Sequence, residues 1–149
     1  MVLKTIQFLA VVLTALALVS AAAHLSALPK EIGVLQDTYY VVQGSYGAWP
    51  QFGALIANAA LAVLVRSQPV PFWLAVVGFM TIAATLAIFF LWIYLANPLP
   101  DDWKPLDAPI SGIRVSDWWR RWEYGHAANA ILAFVGLCAV TCSVLSVRE

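Results

Sequence analysis

A chain of 149 residues that is 62% hydrophobic and only 11% charged cannot hide its apolar side chains in a soluble fold of this size. The formal net charge is zero, so the composition gives no basic surface for nucleic acid. These values predict an integral membrane protein that does not bind nucleic acid.

Four apolar segments follow one another along the chain, each close to the roughly 20 residues that cross a bilayer core. They cover residues 3–23, 49–65, 72–96 and 124–147. Backbone groups in lipid must bond within their own segment, so each segment is predicted to be a helix. We therefore predict an all-α fold, a single domain over residues 1–149 that forms a bundle of four transmembrane helices. A signal peptide is the alternative for the first segment, because "VSAAA" resembles a small-residue cleavage site.

The links between these segments differ in length. Only "RSQPVP" separates the second segment from the third, which predicts a tight turn. The first link has apolar residues at helical spacing, so it is predicted to carry a short interfacial helix. The last link contains four prolines between residues 98 and 109, which predicts a proline-rich cap. With four spans, both long links lie on one side and both termini on the other.

Basic residues give conflicting evidence on orientation. The start "MVLK" favours a cytoplasmic N-terminus, and the first helix usually dominates orientation. A plain count favours the opposite, because the long links carry more basic residues: Lys30, Lys104, Arg114, Arg120 and Arg121. We expect cytoplasmic termini and a location in the inner membrane of a bacterium.

Polar and small residues inside the spans have two interpretations. Threonines and small residues at four-residue spacing, such as Gly53 and Ala57, are typical of helix packing in lipid. Asn58 needs bonding partners there, so it either joins two helices or lines a site. Cys138 and Cys142 are predicted to be small buried hydrophobic side chains rather than ligands.

The chain has two histidines, and the predicted topology places both at the end that holds the long links. His24 ends the first span and His126 lies one turn into the fourth. Trp122, His126 and Asn129 share a helix face, which we expect to turn inward because an amide facing lipid lacks partners. Interfacial histidines bonded to loop carbonyls are the alternative. No spacing of further ligands predicts a metal site.

At "RRWEYGHAANA" the sequence resembles the anthrone-oxygenase-like family of small four-helix membrane proteins. The family pattern has a His near the end of the first helix, an Asn after the third, and W-x-x-x-H-x-x-R at the start of the fourth. The matching residues are His24, Asn97, Trp122 and His126. Asn129 stands where the pattern has Arg, so it can form hydrogen bonds there but supplies no fixed positive charge.

The resemblance implies oxidation of a hydrophobic phenolic or polycyclic substrate by dioxygen, without a bound cofactor. His126 or His24 would act as the base, and Arg121, Asn129 or Asn58 would hold the resulting anion. Trp122 and Asn97 complete the expected substrate-binding set. The aromatic substrate would enter from membrane lipid. The alternative is a non-catalytic accessory subunit of a larger respiratory or photosynthetic membrane complex, and a homo-oligomer is a further possible assembly.

Overall fold

A computed structural model describes residues 1–31, 49–93, 109–110 and 113–148, with the side chains of residues 1–23, 49–93 and 124–148. The first helix, α1, covers Val2–Glu31, and the second, α2, covers Trp49–Leu64. Helix α3 covers Pro69–Ile88 and continues into a π-helical turn at Phe89–Ile93. Helix α4 covers Val115–Ser146. Ahead of α4, strands β1 (Pro109–Ile110) and β2 (Ile113–Arg114) pair antiparallel.

The four helices form a ring in which each packs against the next and α4 closes against α1. One core layer joins the beginning of α1 and the end of α2 to the beginning of α3 and the end of α4, and its buried members include Ala10, Leu61, Ala75 and Val140. A second layer contains Ala17, Ala54, Ile82 and Ala133. Neighbouring helices therefore run antiparallel, and α2 and α4, which face each other across the ring, run in the same direction.

On α1 and on α4, seven residues separate a position in one core layer from the corresponding position in the next layer. Ala10 lies in the same layer as Val140, and Ala17 lies in the same layer as Ala133. Seven residues make nearly two helical turns and rise about 10.5 Å, so each step keeps the same face of the helix. The next step towards the end that holds the two long links reaches His24 on α1 and His126 on α4.

The interior is built from small side chains, and large apolar side chains cover the outside. Most buried apolar residues are alanines, whereas Phe8, Ile56, Met80 and Phe134 are exposed. A soluble bundle places its large apolar residues inside, but in lipid close helix approach is what holds the helices together. Together with the apolar helices described next, this pattern supports the predicted integral membrane protein.

Within the described residues, three stretches of helix are long and apolar enough to cross a membrane: Val2–Ala23, Pro69–Ile93 and Tyr124–Ser146. The fourth apolar helix, Trp49–Leu64, has 16 residues. At 1.5 Å per residue it extends about 24 Å, which is shorter than the roughly 30 Å core of a bilayer. The all-helical bundle is confirmed, and the prediction that all four helices cross the membrane stays a prediction.

The predicted burial of the two cysteines was wrong. Cys138 and Cys142 are both exposed on the outer surface of α4 and both are free thiols. A transmembrane helix is apolar on every side, so hydrophobicity alone does not tell which face turns inward. In a membrane these thiols face lipid or another protein.

The long links are described only in part. The interfacial helix predicted for the first link falls within residues 32–48, which lie outside the described residues, as does most of the proline-rich cap. Helix α1 extends to Glu31, past the predicted end of the first span at Ala23. The described part of the second link is the short antiparallel strand pair, in which Pro109 is opposite Arg114.

The end of the bundle that holds both termini is fastened by side chains. Gln68 in the short turn donates from Nε2 to the Arg148 carbonyl oxygen at 3.1 Å and accepts from the Arg148 N–H at 2.9 Å. Ser143 Oγ donates to the Pro71 carbonyl oxygen at 2.7 Å, and both residues are buried. The short turn therefore lies beside the C-terminus, as a bundle of antiparallel neighbours requires.

We expect a cysteine introduced at Ser67 and one introduced at Ser111 to react with a membrane-impermeant maleimide from opposite sides of the membrane. The background is first removed by replacing Cys138 and Cys142 with alanine, because both native thiols are exposed. Sealed right-side-out and inside-out vesicles provide the comparison. Labelling of both positions from one side would contradict the four-span topology.

Candidate functional site

A buried polar contact joins α1 to α2 in the middle of the bundle. Asn58 Nδ2 donates a hydrogen bond to Thr14 Oγ1 at 3.2 Å, and Thr14 Oγ1 lies 3.5 Å from Asn58 Oδ1 in the reverse direction. Both side chains are fully buried. An amide in an apolar interior needs such a partner, so this contact fixes how α1 and α2 sit against each other.

Two glycines bring α3 and α4 into close contact at the same level. A Cβ atom added at Gly78 would overlap Val140 Cγ2, and it would lie 3.5 Å from the Gly136 carbonyl oxygen and 3.7 Å from Asn58 Nδ2. A Cβ added at Gly136 would lie 2.6 Å from Thr81 Oγ1. The absence of side chains at these two positions therefore sets the spacing of the helices that carry the site.

We expect Asn58→Leu to lower the free energy of unfolding by about 1–2 kcal/mol, because it removes the amide and leaves the Thr14 hydroxyl with one partner fewer. Thr14→Val should show a similar loss. The double variant should lose less than the sum of the two, since the same hydrogen bond is removed twice. Reversible unfolding in mixed micelles measures this, and full additivity would show that the two side chains do not interact.

The candidate site lies about two turns above the Thr14–Asn58 contact, towards the end of the bundle that holds the long links. His126 and Asn129 on α4 are buried, with relative exposures of 8% and 6%. The inward orientation predicted from their spacing is confirmed for both. Asn129 Oδ1 is enclosed and accepts no hydrogen bond within the part of the chain that the structure describes. An enclosed amide oxygen of this kind is ready to accept a hydrogen bond from a bound molecule.

The π-helical turn at Phe89–Ile93 packs beside these residues. A Cβ added at Gly125 would lie 2.7 Å from Ile93 Cγ1 and 3.3 Å from Trp92 Cδ1, so the turn and the start of the buried part of α4 are in close contact. Phe90 of the turn also contacts Phe52 on α2, with ring centroids 6.3 Å apart. Single π-turns within helices are frequent at functional sites. This one packs against Gly125, the residue that precedes His126.

The two histidines occupy the same level of the bundle. His24 lies seven residues beyond Ala17 on α1, and His126 lies seven residues before Ala133 on α4. Because Ala17 and Ala133 belong to one core layer and the two helices run antiparallel, the backbones at both histidines lie about 10.5 Å above that layer. The side chain of His24 lies outside the described part of the chain.

The remaining predicted site residues are placed less completely. Arg121 and Trp122 belong to α4, one turn before His126, but their side chains lie outside the described part. Asn97 is not among the described residues. Asn58 is bonded to Thr14 and lies at the level of Gly136 on α4. Gly136 follows Asn129 by seven residues, so Asn58 lies about two turns below Asn129. The structure therefore brings His126 and Asn129 together, with His24 at the same level, and keeps Asn58 in a separate tier.

Gln51 is a polar residue at this level that the sequence analysis did not identify. Its Oε1 atom is enclosed and, among residues whose positions the structure describes, it has no hydrogen-bond partner. The spacing in the sequence could have indicated this position, because Gln51 lies seven residues before Asn58 and so shares its face of α2. Among the side chains of residues 1–23, 49–93 and 124–148, no group of three His, Cys, Asp or Glu is placed to hold a metal ion.

Comparisons with known proteins give no match to this chain among protein-family profiles, curated proteins or solved structures.

Proposed function

We propose that this protein binds a hydrophobic phenolic or polycyclic molecule inside the bundle and oxidises it with dioxygen, without a bound cofactor. The supporting observation is the buried pair of His126 and Asn129, in which the enclosed Oδ1 of Asn129 accepts no hydrogen bond from the described residues. Polar side chains at membrane depth are costly, and they are often retained because they act on a ligand.

The reaction follows from the acidity of such substrates. A base removes a proton from an acidic carbon or phenol, and the resulting anion passes electrons to dioxygen. For a methylene between two aromatic rings, both hydrogens leave the carbon. One oxygen atom of O₂ becomes the new carbonyl oxygen and the other leaves as water. The substrate itself supplies the electrons, so the chemistry asks the protein for a base and for groups that stabilise the anion.

We assign the base to His126, with His24 as its partner at the same level, because imidazole exchanges a proton near neutral pH. The amide Nδ2 of Asn129 donates to the anion, and Arg121 supplies the positive charge that the family pattern would place at position 129. Trp122 and Asn97 complete the proposed substrate-binding set. Asn58, bonded to Thr14, supports the wall of the site from below.

Membrane placement is part of the same proposal. All four helices cross the bilayer, with cytoplasmic termini in the inner membrane of a bacterium. The first link carries a short interfacial helix, and the proline-rich link covers the site as a cap. An apolar substrate then enters from lipid between the helices, at the interfacial level of His126.

The test is oxygen uptake by the purified protein in lipid nanodiscs, with anthrone as the probe substrate. We expect uptake above that of empty nanodiscs, formation of the corresponding quinone and no requirement for an added metal or flavin. An equal rate with empty nanodiscs would contradict the enzymatic proposal. Stable co-purification with respiratory or photosynthetic subunits in mild detergent would then favour the accessory-subunit alternative.

A further inference from the structure

Two side-chain amide oxygens of the bundle helices are enclosed without a hydrogen bond from the residues that the structure describes. They are Gln51 Oε1 on α2 and Asn129 Oδ1 on α4. Asn129 is buried and Gln51 is half-buried. Other buried polar side chains of these helices are satisfied: Asn58 bonds to Thr14, and Ser143 bonds to a backbone carbonyl. Two unsatisfied acceptors therefore stand out against an interior that otherwise pairs its polar groups.

These two oxygens belong to one level of the bundle. Gly78 lies in contact distance of both Asn58 and Gly136, which places Asn58 on α2 and Gly136 on α4 at the same height. Gln51 lies seven residues before Asn58, and Asn129 lies seven residues before Gly136. Because α2 and α4 run in the same direction, the same step of about 10.5 Å brings both amides to a common level.

Both amides also occupy inward-facing stripes. Gln51 continues the buried stripe of α2 formed by Ala54, Asn58 and Leu61, and Asn129 continues the buried stripe of α4. Helices α2 and α4 face each other across the ring. The two positions therefore face each other across the interior, about one turn below His126.

From this juxtaposition we infer that Gln51 and Asn129 form a binding site for the hydroxyl groups of a polycyclic phenol, one amide oxygen accepting from each hydroxyl. A carbonyl oxygen accepts hydrogen bonds, and among apolar side chains it favours a molecule that carries a donor on an apolar body. The inference rests on the proposed function, because it names the groups that fix the substrate and adds Gln51 to the site. Gln51 is a positioning residue here and takes no part in proton transfer.

The test is anaerobic binding, measured by calorimetry on the full-length protein in nanodiscs with empty nanodiscs subtracted. The probes are naphthalene, 2-naphthol and dihydroxynaphthalene, the last as its 1,3-, 1,5- and 2,7-isomers because hydroxyl spacing selects among them. We expect each hydroxyl to tighten binding about 3- to 10-fold, as one neutral hydrogen bond does. Equal affinity of the wild-type protein for naphthalene and for every hydroxylated probe overturns the inference without any variant.

Three variants then assign the effect to the amide pair. Gln51→Met and Asn129→Leu keep the approximate size and remove the acceptor. Each should bind the best dihydroxynaphthalene only as tightly as the wild-type protein binds 2-naphthol, and the double variant should lose all preference for hydroxyl groups. Gln7→Met is the matched control, because Gln7 lies near the start of α1, at the end of the bundle away from the site. This variant should retain the affinity gained from each of the two hydroxyl groups.

The outcomes separate this inference from the proposed function. If the hydroxyl preference depends on the amide pair but no oxygen is consumed, the binding site stands and the oxidation fails. If anthrone is oxidised but the variants keep the hydroxyl preference, the oxidation stands and the amide pair is not the site. If both single variants are more thermally stable and bind the probes as the wild-type protein does, the two amides hold buried water only. That result also overturns the inference.

Discussion

Replacing His126 by alanine should lower the rate of anthrone-dependent oxygen uptake by a factor of about 10²–10⁴, the usual contribution of a positioned general base. The side chain is buried on the inner face of α4 beside Asn129, so its loss removes the base from the site without changing the outer surface. His126→Gln is the informative second variant, because glutamine keeps a hydrogen-bonding group of similar size but does not exchange a proton near neutral pH. Steady-state oxygen uptake in nanodiscs measures both.

The assembly of the variants is the control for this prediction. The alanine variant should elute as the same species as the wild-type protein and bind 2-naphthol within a few fold, since the phenol is held by other groups. His24→Ala tests the partner histidine at the same level. A His126→Gln variant with the full wild-type rate would show that His126 is not the base, and the site would then be a binding site alone.

Replacing Gly78 by alanine should lower the free energy of unfolding by about 1–3 kcal/mol, the cost of overpacking a tight interior. The added Cβ overlaps Val140 Cγ2, and Val140 is fully buried with a branched side chain that strongly prefers one rotamer in a helix. Helices α3 and α4 must therefore move apart at the level where Gly78 and Gly136 bring their backbones close together. Equilibrium unfolding in mixed micelles provides the measurement.

Two further variants make this prediction specific. Val140→Ala should restore much of the stability lost by Gly78→Ala, because it removes the atom that the new methyl group meets. Gly53→Ala is the matched control: its Cβ would meet only the flexible end of Leu13 at 3.3 Å, so we expect a loss well below that of Gly78→Ala. Equal losses at Gly53 and Gly78, or no rescue by Val140→Ala, would show that the α3–α4 contact is looser than described here.

The sequence predicted the helices and part of the site for identifiable reasons. Long apolar runs must be helical in lipid, and the described helices agree with the predicted segments to within a few residues at most ends. An amide avoids lipid, so the spacing of His126 and Asn129 correctly indicated which face of α4 turns inward. The same argument was unavailable for Cys138 and Cys142, which tolerate lipid and protein equally well, and their predicted burial was wrong.

Gln51 shows why the rest of the site was not predictable. Its position relative to Asn129 depends on the heights at which α2 and α4 pack, and these heights are set by contacts between residues far apart in the chain, such as Thr14 with Asn58 and Gly78 with Gly136. Neither contact has a signature in the local sequence. A glutamine near the start of an apolar helix is equally compatible with an interfacial position.

What the sequence determined by itself is therefore the class of molecule: an apolar, helical membrane protein with few polar side chains in its helices. Composition and hydrophobic length are local properties, and lipid leaves the backbone no other conformation. The tertiary structure decided which small residues meet, the common level of the two histidines, and the enclosure of the Gln51 and Asn129 amide oxygens. These features depend on the vertical register of the helices, which close packing between glycines and alanines fixes only once the bundle has assembled.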